Sequence, residues 1–416
     1  MSVVTHLDRH RYRNKLALAT LMIGAFVVGT AELVVVGVLP LIATDMSVSI
    51  STTGQLVTSY ALGISVGGPV LNALTVRFGR RFLAWLCLAT YIAGNVLAVA
   101  AVGFGMLVVA RFITGSVHGL FIGVATVVAA GIVPPEQRGR AISMVFGGVA
   151  VATVLGIPLG TLIGQAMGWQ ATFIAIIILG GLALAATLAF VPSVESSDTG
   201  GFAAQARCAF APRVLAMLAV GFMLMAGQFT VFTYITPYLE EITGISGGLV
   251  SAFLLAFGIA SAAGTFLGGI SADRSPTTTL WAGNMLVVLT LGVLYLVGAT
   301  PVLVALTMGI WGLLMFAIFP PLQLRVISLA GIGGNLAATL SASAANAGIA
   351  VGAVIGGWLV ASQGVESIVP VGLLICAVAV PATWATKWLV PPEEGKACRI
   401  VAPGVVEPAT VPADVK

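Results

Sequence analysis

Charge is what this sequence has least of. Lys and Arg number 18 and Asp and Glu 14, together 8% of 416 residues, where an ordinary soluble domain is about 25% charged. So thin a coat cannot keep a chain of this size in water, which excludes a cytosolic enzyme, a nucleic-acid binder and a disordered chain. Cysteine is scarce as well: the four (Cys87, Cys208, Cys376, Cys398) show no CxxC spacing, and two lie in apolar and two in polar segments. Neither a disulfide framework nor a metal site is expected. No Walker A, HExxH, GxSxG or Rossmann glycine pattern occurs, so no cofactor is expected, and an ATP-driven pump would need a partner chain.

What is present is apolar: 59% of residues are AVILMFWYC and 51 are Gly. This composition describes an integral membrane protein, with the lipid bilayer as its main partner and no nucleic acid. A polar N-terminus, a polar middle and a tail leave about 350 residues, room for roughly 12 spans with their turns. Apolar runs fall at 16–39, 54–76, 82–102, 104–132, 141–166, 170–191, 214–237, 248–270, 278–299, 301–322, 336–361 and 367–389. The expected fold is therefore all-α, with twelve transmembrane helices. The first run is longer than a signal-peptide core and is read as an uncleaved span.

Orientation follows from the basic residues. With the N-terminus cytoplasmic, every Lys and Arg but Arg111 falls on the inside, while the outside loops carry only Asp45, Glu240, Glu241 and Glu366. This is a one-sided positive-inside pattern, and both termini are expected in the cytoplasm. The chain also repeats itself. Pro40-Leu41-Ile42 corresponds to Pro237-Tyr238-Leu239, and an equal spacing separates Pro40 from Arg77 and Pro237 from Arg274. In that register Ser59–Gly63 lies against Ala256–Ala260. Small residues recur every fourth position in run 5 (Gly148, Ala152, Gly156, Gly160, Gly164) and in run 11 (Ala344, Gly348, Gly352, Gly356), one residue out of that register. The economical organisation is an N-terminal segment (1–15), a six-helix bundle (16–191), a cytoplasmic linker with room for a short helix (192–213), a second bundle (214–389) and a disordered tail (390–416). Two related six-helix halves with a site between them describe a transporter.

Glu32 is the carboxylate that lies well inside an apolar run, about 12 Å from Pro40 at 1.5 Å per residue. Arg111 enters from the same side and lies about 10 Å deep. An unpaired charge at a helix centre costs about 2.5–3.5 kcal/mol, so matched depth and opposite sign favour a pair or a shared polar cavity. That pair either marks a pathway or merely fixes packing. His118, two turns beyond Arg111, either carries a proton or is a neutral side chain bonded to a neighbouring helix. Gln228 and Asn346 are candidates for substrate contact, and Asn95 and Asn284 for helix–helix hydrogen bonding. The small-residue stripes are packing seams, and Pro158 removes a backbone bond and favours a bend. The loop Arg77-Phe78-Gly79-Arg80-Arg81 is either a topology signal or, with the Glu136–Arg140 loop, part of a charge latch.

These residues resemble the major facilitator superfamily over about Leu16 to Leu389. Asn72–Arg81 is similar to the family's loop signature after span 2, with Asn72 in place of Gly and Val76 in place of Asp. The second half keeps the acid, as Gly269-Ile270-Ser271-Ala272-Asp273-Arg274, which leaves Asp273 to carry what the first-half Asp would. Arg111-Phe112-Ile113-Thr114-Gly115 resembles the span-4 motif whose Arg is tied to proton coupling. Gly156-Ile157-Pro158-Leu159-Gly160 resembles the antiporter motif of span 5, with Thr161 where a final Gly belongs. Gly29–Leu33, His118-Gly119, Leu322–Val326 and Asn346–Gly348 resemble the branch with chloramphenicol-resistance and arabinose-efflux transporters. The resemblance implies a monomer in the cell membrane that exports a small neutral or lipophilic molecule, a drug or a sugar, against protons by alternating access. Proton-coupled nutrient uptake and a non-transporting receptor or scaffold of the same fold are the alternatives. Glu32 would be the proton-titratable group, with the proton gradient as energy source.

Overall fold

The computed structural model describes residues 2–75, 77–134, 137–193 and 202–392; Val76, Glu136, most of the linker and the tail from 393 lie outside them. Every regular element among the described residues is helical. Twelve helices are long and apolar enough to cross a membrane: spans 1 (Arg13–Asp45), 2 (Ile50–Thr75), 3 (Arg80–Val99), 4 (Phe104–Gly131), 5 (Arg138–Met167), 6 (Trp169–Phe190), 7 (Pro212–Glu241), 8 (Gly248–Arg274), 9 (Pro276–Val297), 10 (Pro301–Gly333), 11 (Leu336–Gln363) and 12 (Val365–Trp388). In lipid every backbone polar group must be satisfied within the segment, which is why the apolar runs emerge as helices throughout.

Several boundaries differ from the apolar runs, because helices continue where hydrophobicity stops. The first helix begins at Ser2 and runs unbroken to Asp45, through the stretch expected to be a separate N-terminal segment. Span 10 extends beyond residue 322, through Phe319–Ala330. The linker contains a helix, Phe202–Ala209, and Pro212 already opens span 7.

Spans 1 and 7 are central: 72% of each apolar window is buried, against 28% and 33% in spans 6 and 12. The glycine stripes explain how the central helices are seated. Gly156 lies on the Thr30 side chain, Gly160 on Val34 and Gly164 on Val38, so span 5 packs along span 1 at four-residue steps. Span 11 packs along span 7 in the same manner, with Gly348 on Phe222, Gly352 on Ala226 and Gly356 on Thr230. Gly148 meets the Met22 carbonyl as Gly348 meets that of Phe222. The two stripes therefore match at 148 and 348, a turn away from the register inferred from the sequence. A stripe with a four-residue period looks the same after a slip of one turn, so only the contacts decide.

Spans 2 and 5 share a distortion. A π-helical turn at Gly63–Gly67 ends with the Gly68 amide donating to the Gly63 carbonyl, immediately before Pro69. Another at Ala152–Gly156 ends with the Ile157 amide donating to Ala152, immediately before Pro158. A proline has no N–H and its ring crowds the carbonyl four residues back; a widened turn relieves both problems. Their partners across the halves, spans 8 and 11, contain uninterrupted α-helices Gly248–Arg274 and Gly334–Gln363.

The halves meet through hydroxyl-to-carbonyl bonds. Ser51 donates to Gly357 O at 2.6 Å, Thr58 to Ala350 O at 3.4 Å and Ser65 to Ser343 O at 2.8 Å. These rungs descend spans 2 and 11 in antiparallel steps of two turns. Thr236 donates to Val36 O at 2.7 Å, and Ser251 to Gln165 Oε1 at 3.3 Å. The Ser51, Thr58, Thr236 and Ser251 bonds lie from mid-membrane to the end that carries Asp45, Glu240 and Glu366, and the Ser65 rung lies past the middle toward the basic end. Toward the opposite, basic end, Leu74 in the last turn of span 2 is 70% exposed. Lys387 stacks on Trp384 at 3.5 Å near that boundary, as Trp and Lys do at a membrane surface.

A side chain on Gly115 would strike the Tyr60 main-chain carbonyl, whereas nothing lies within 4 Å of a Cβ on Gly123 in the same helix. Gly115→Val should therefore cost about 1–3 kcal/mol by overpacking and lower the detergent-solubilised melting temperature. Gly123→Val should leave it unchanged.

Candidate functional site: an ionisable cluster in the first half

The cluster forms where spans 1 to 4 meet at mid-membrane. Arg111 is sealed, 1% exposed, and its guanidinium is satisfied by main chain. Nη1 donates to Ala31 O at 2.7 Å, Nη2 to Glu32 O at 3.2 Å and Nε to Leu56 O at 3.4 Å. Its central carbon lies 3.9 Å from the Tyr60 ring centroid, a cation–π contact. Of the two arrangements expected, a Glu32–Arg111 pair or a shared polar cluster, the side chains share the cluster without a salt bridge: Arg111 holds the Glu32 carbonyl, and the carboxylate lies on the His118 side.

There the Glu32 carboxylate faces His118, with Oε2 3.7 Å from Nδ1. The same nitrogen lies 3.0 Å from the Tyr60 hydroxyl. That hydroxyl also reaches Val28 O at 3.1 Å and the Tyr91 hydroxyl at 3.3 Å. Tyr91 in turn reaches Val28 O at 3.3 Å. His118 thus stands between a carboxylate and a phenol, and its tautomer decides which of them it serves. The Glu32 side chain keeps 19% of its surface open against 6% for His118. It is the ionisable member of the cluster that can meet a ligand or water.

Spacing alone placed Glu32 and Arg111 at one depth and His118 two turns further along span 4; it did not find Tyr60 or Tyr91. The available signal was a phenol in the middle of an apolar run, since a buried Tyr hydroxyl needs a partner. Gln228 and Asn346 do not join the cluster. Gln228 is fully buried and its Oε1 accepts from Trp311 Nε1 at 3.2 Å. Asn346 donates to Ala342 O of its own helix at 3.0 Å, and its Oδ1 is buried without a partner. Asn284 links span 9 to Cys376 O of span 12 at 3.2 Å, whereas Asn95 bonds Tyr91 O in its own helix.

The loop residues are equally distant from the cluster. Gly79 precedes span 3, whose first turn holds Arg80 and Arg81; Arg81 donates to Leu188 O at the end of span 6 at 2.7 Å. Arg77, Asp273 and Arg274 are exposed, and among the described residues Asp273 enters no ion pair. At the opposite face Asp45 accepts from Trp169 Nε1 at 2.7 Å, closing span 1 onto span 6.

The model of the Major Facilitator Superfamily matches residues 21–339. The chain belongs to that superfamily. An MFS-type transporter of Bacillus subtilis (strain 168), YtbD, is 36% identical over 372 residues, covering 88% of this chain and 94% of the relative. A chloramphenicol resistance protein of Streptomyces lividans is 30% identical over 341 residues, covering 81% and 87%. Among solved structures, a bacterial homolog of the human lysosomal transporter Spinster has a TM-score of 0.73 at 16% identity, covering 90% and 96%; it shows the shared fold. The resemblance read from the motifs stands, and the protein is a multi-pass membrane transporter of this superfamily.

Tyr60→Phe keeps the ring under Arg111 and removes the hydroxyl; about 0.5–1.5 kcal/mol of stability should be lost. Tyr60→Leu removes the ring as well and should cost about 2 kcal/mol more. Thermal unfolding in detergent checks the order: similar losses for the two variants would contradict the cation–π contact.

Proposed function

We propose that the protein exports small neutral or lipophilic molecules, drugs or sugars, in exchange for protons by alternating access. It resides in the inner membrane with the basic face and both termini in the cytoplasm. In that orientation the Ser51 and Thr58 rungs join the halves on the outer side. The observation that carries the reading is the Glu32 carboxylate, part-exposed at mid-membrane beside His118, with Arg111 sealed behind it.

The proton step uses only these side chains. Ionised, Glu32 attracts a donor group of the cargo or water, and Arg111 of the neighbouring span 4 offsets its charge. Protonated, Glu32 loses that attraction and releases the cargo; binding and protonation compete for the same oxygens. Export rather than uptake is supported by the similarity to a chloramphenicol resistance protein and by the Gly156-Ile157-Pro158-Leu159-Gly160 segment. A non-transporting scaffold would have no use for an ionisable group kept at such cost in the bilayer.

Two measurements test this. In proteoliposomes with an imposed pH gradient, Glu32→Gln should abolish uphill movement of chloramphenicol while exchange of labelled for unlabelled probe continues; unchanged accumulation would sink the coupling role. A Ser51→Cys, Gly357→Cys double variant should cross-link across the rung that joins spans 2 and 11. Oxidation should stop transport and reduction restore it, whereas full activity of the cross-linked protein would exclude alternating closure there.

A further inference from the structure

Away from the ionisable cluster, a crevice lies on the flank of the seam between spans 2 and 11. It encloses about 320 Å³ and is lined by Ser51, Gln55 and Thr58 of span 2, Tyr234 of span 7, and Val354 and Trp358 of span 11. Both halves therefore supply its walls. Span 2 starts at Ile50 and span 11 ends at Gln363, so Gln55 and Trp358 each lie about 8 Å in from the acid-bearing end at 1.5 Å per residue. Val351, Val354 and Trp358 are exposed along one face of span 11, as are Leu62 and Val66 of span 2. The crevice thus opens sideways toward lipid, at the depth where tryptophan marks the membrane boundary. Its floor is the Tyr234 phenol, wedged between helices of the two halves. A Cβ on Gly54 of span 2 would strike the Tyr234 hydroxyl, and one on Gly356 of span 11 would lie 2.8 Å from the ring. Parting the halves would take one wall away from this floor.

The polarity of the crevice is one-sided. Ser51 donates to Gly357 O, Thr58 to Ala350 O and Tyr234 to Ala353 O at 3.0 Å. A hydroxyl has one proton, and each of these is committed to span 11, so toward the crevice the three groups offer lone pairs. Gln55 is exposed, and its amide bonds to nothing among the described residues. No acid or base lines the space, and a charge at this depth would lack a partner. A fitting ligand is therefore neutral and brings N–H or O–H donors to the hydroxyl oxygens. Its apolar or aromatic body lies against Val354 and Trp358. The volume is at the lower end of the range for ligand pockets, about 300–1,000 Å³, which suits a small molecule rather than a whole lipid.

We propose that this crevice is a second, inhibitory binding site for a neutral amphipathic molecule with hydrogen-bond donors, which enters from the lipid and holds the seam between spans 2 and 11 closed. A ligand that touches both halves in the closed arrangement, and loses a wall when they part, favours closure by its differential affinity for the two forms. The proposal rests on the reading that this seam opens and closes. It depends neither on which cargo is carried nor on proton coupling.

The test uses the full chain in lipid nanodiscs and tritiated 4-hexylresorcinol, a neutral amphipath with two O–H donors on an aromatic ring. Its dimethyl ether keeps the shape and lacks the donors, and empty nanodiscs give the partition into lipid. Saturable binding of the resorcinol is expected, with the ether weaker by about tenfold. Gln55→Leu and Trp358→Ala, both at exposed positions, should each weaken it by about two- to tenfold. Binding that does not saturate, an ether that binds equally well, or binding unchanged in either variant overturns the site. Closure is read on the far side of the bundle, where Ser251 of span 8 meets Gln165 of span 5. In a Gln165→Cys, Ser251→Cys variant, a short bis-methanethiosulfonate should cross-link severalfold faster with the resorcinol present and no faster with the ether. An unchanged rate overturns the clamp while the export reading stands. A rate that rises in a protein that fails to move chloramphenicol defeats the export reading and leaves the site in place.

Discussion

A guanidinium buried in the middle of a membrane bundle has to be surrounded by acceptors, and that requirement organises the first half of this protein. Arg111 remains protonated at any physiological pH, and lipid offers it nothing. It is satisfied by carbonyls of two different helices and by the face of Tyr60. Tyr60 then has its hydroxyl committed to Val28 O, Tyr91 and His118. One cation thereby ties spans 1, 2, 3 and 4 together through groups that have little freedom to move. The Glu32 carboxylate is the exception, because Arg111 grips its carbonyl and leaves the acid group turned away. The residue is anchored at its backbone and adjustable at its chemical end.

The second half has no such cation and needs no such cage. Its equivalent volume is filled by Phe232, Phe257, Trp311, Met308 and Met315, whose packing is non-directional. Gln228 fits this arrangement as the acceptor for the Trp311 indole. The distribution of distortions is also unequal. Spans 2 and 5 carry the π turns before Pro69 and Pro158, and each faces an uninterrupted helix of the other half. Each interface therefore joins a bendable element to a stiff one.

Much of this was legible in the residues. Scarcity of charge and the lengths of apolar runs were enough for twelve helices, and the lone buried acid and base led to the cluster. What could not be read was direction. Sequence distance along a helix gives depth, so Glu32 and Arg111 were set at one level and His118 two turns beyond Arg111, but it says little about which way a side chain turns. Pairing by opposite sign then suggested Glu32 with Arg111, although main-chain carbonyls, present in every residue and therefore invisible to residue type, serve Arg111 better. The glycine stripes failed in a related way, since a four-residue repeat cannot report a slip of one turn. Boundaries moved where helices outlast hydrophobicity, as at Ser2 and beyond residue 322.

On the exchange cycle proposed above, the seam between the halves gives a physical reason why a modest trigger would suffice. An interface that opens and closes in every cycle cannot rest on buried ion pairs, because breaking one leaves an uncompensated charge at a cost of about 3–5 kcal/mol. The rungs at Ser51, Thr58 and Ser65 are neutral hydroxyl-to-carbonyl bonds, each with a net contribution of about 0.5–1.5 kcal/mol. Each serine or threonine that leaves its rung can return to a carbonyl of its own helix, as Thr53 and Ser116 already do. Opening the seam therefore strands few polar groups, and the open and closed forms lie close in energy. Between such nearly balanced forms, every 1.4 kcal/mol of differential interaction shifts the ratio about tenfold. In the proposed cycle, gain or loss of one proton at mid-membrane would supply a difference of that size, and the neutral seam would let a single carboxylate bias the whole bundle.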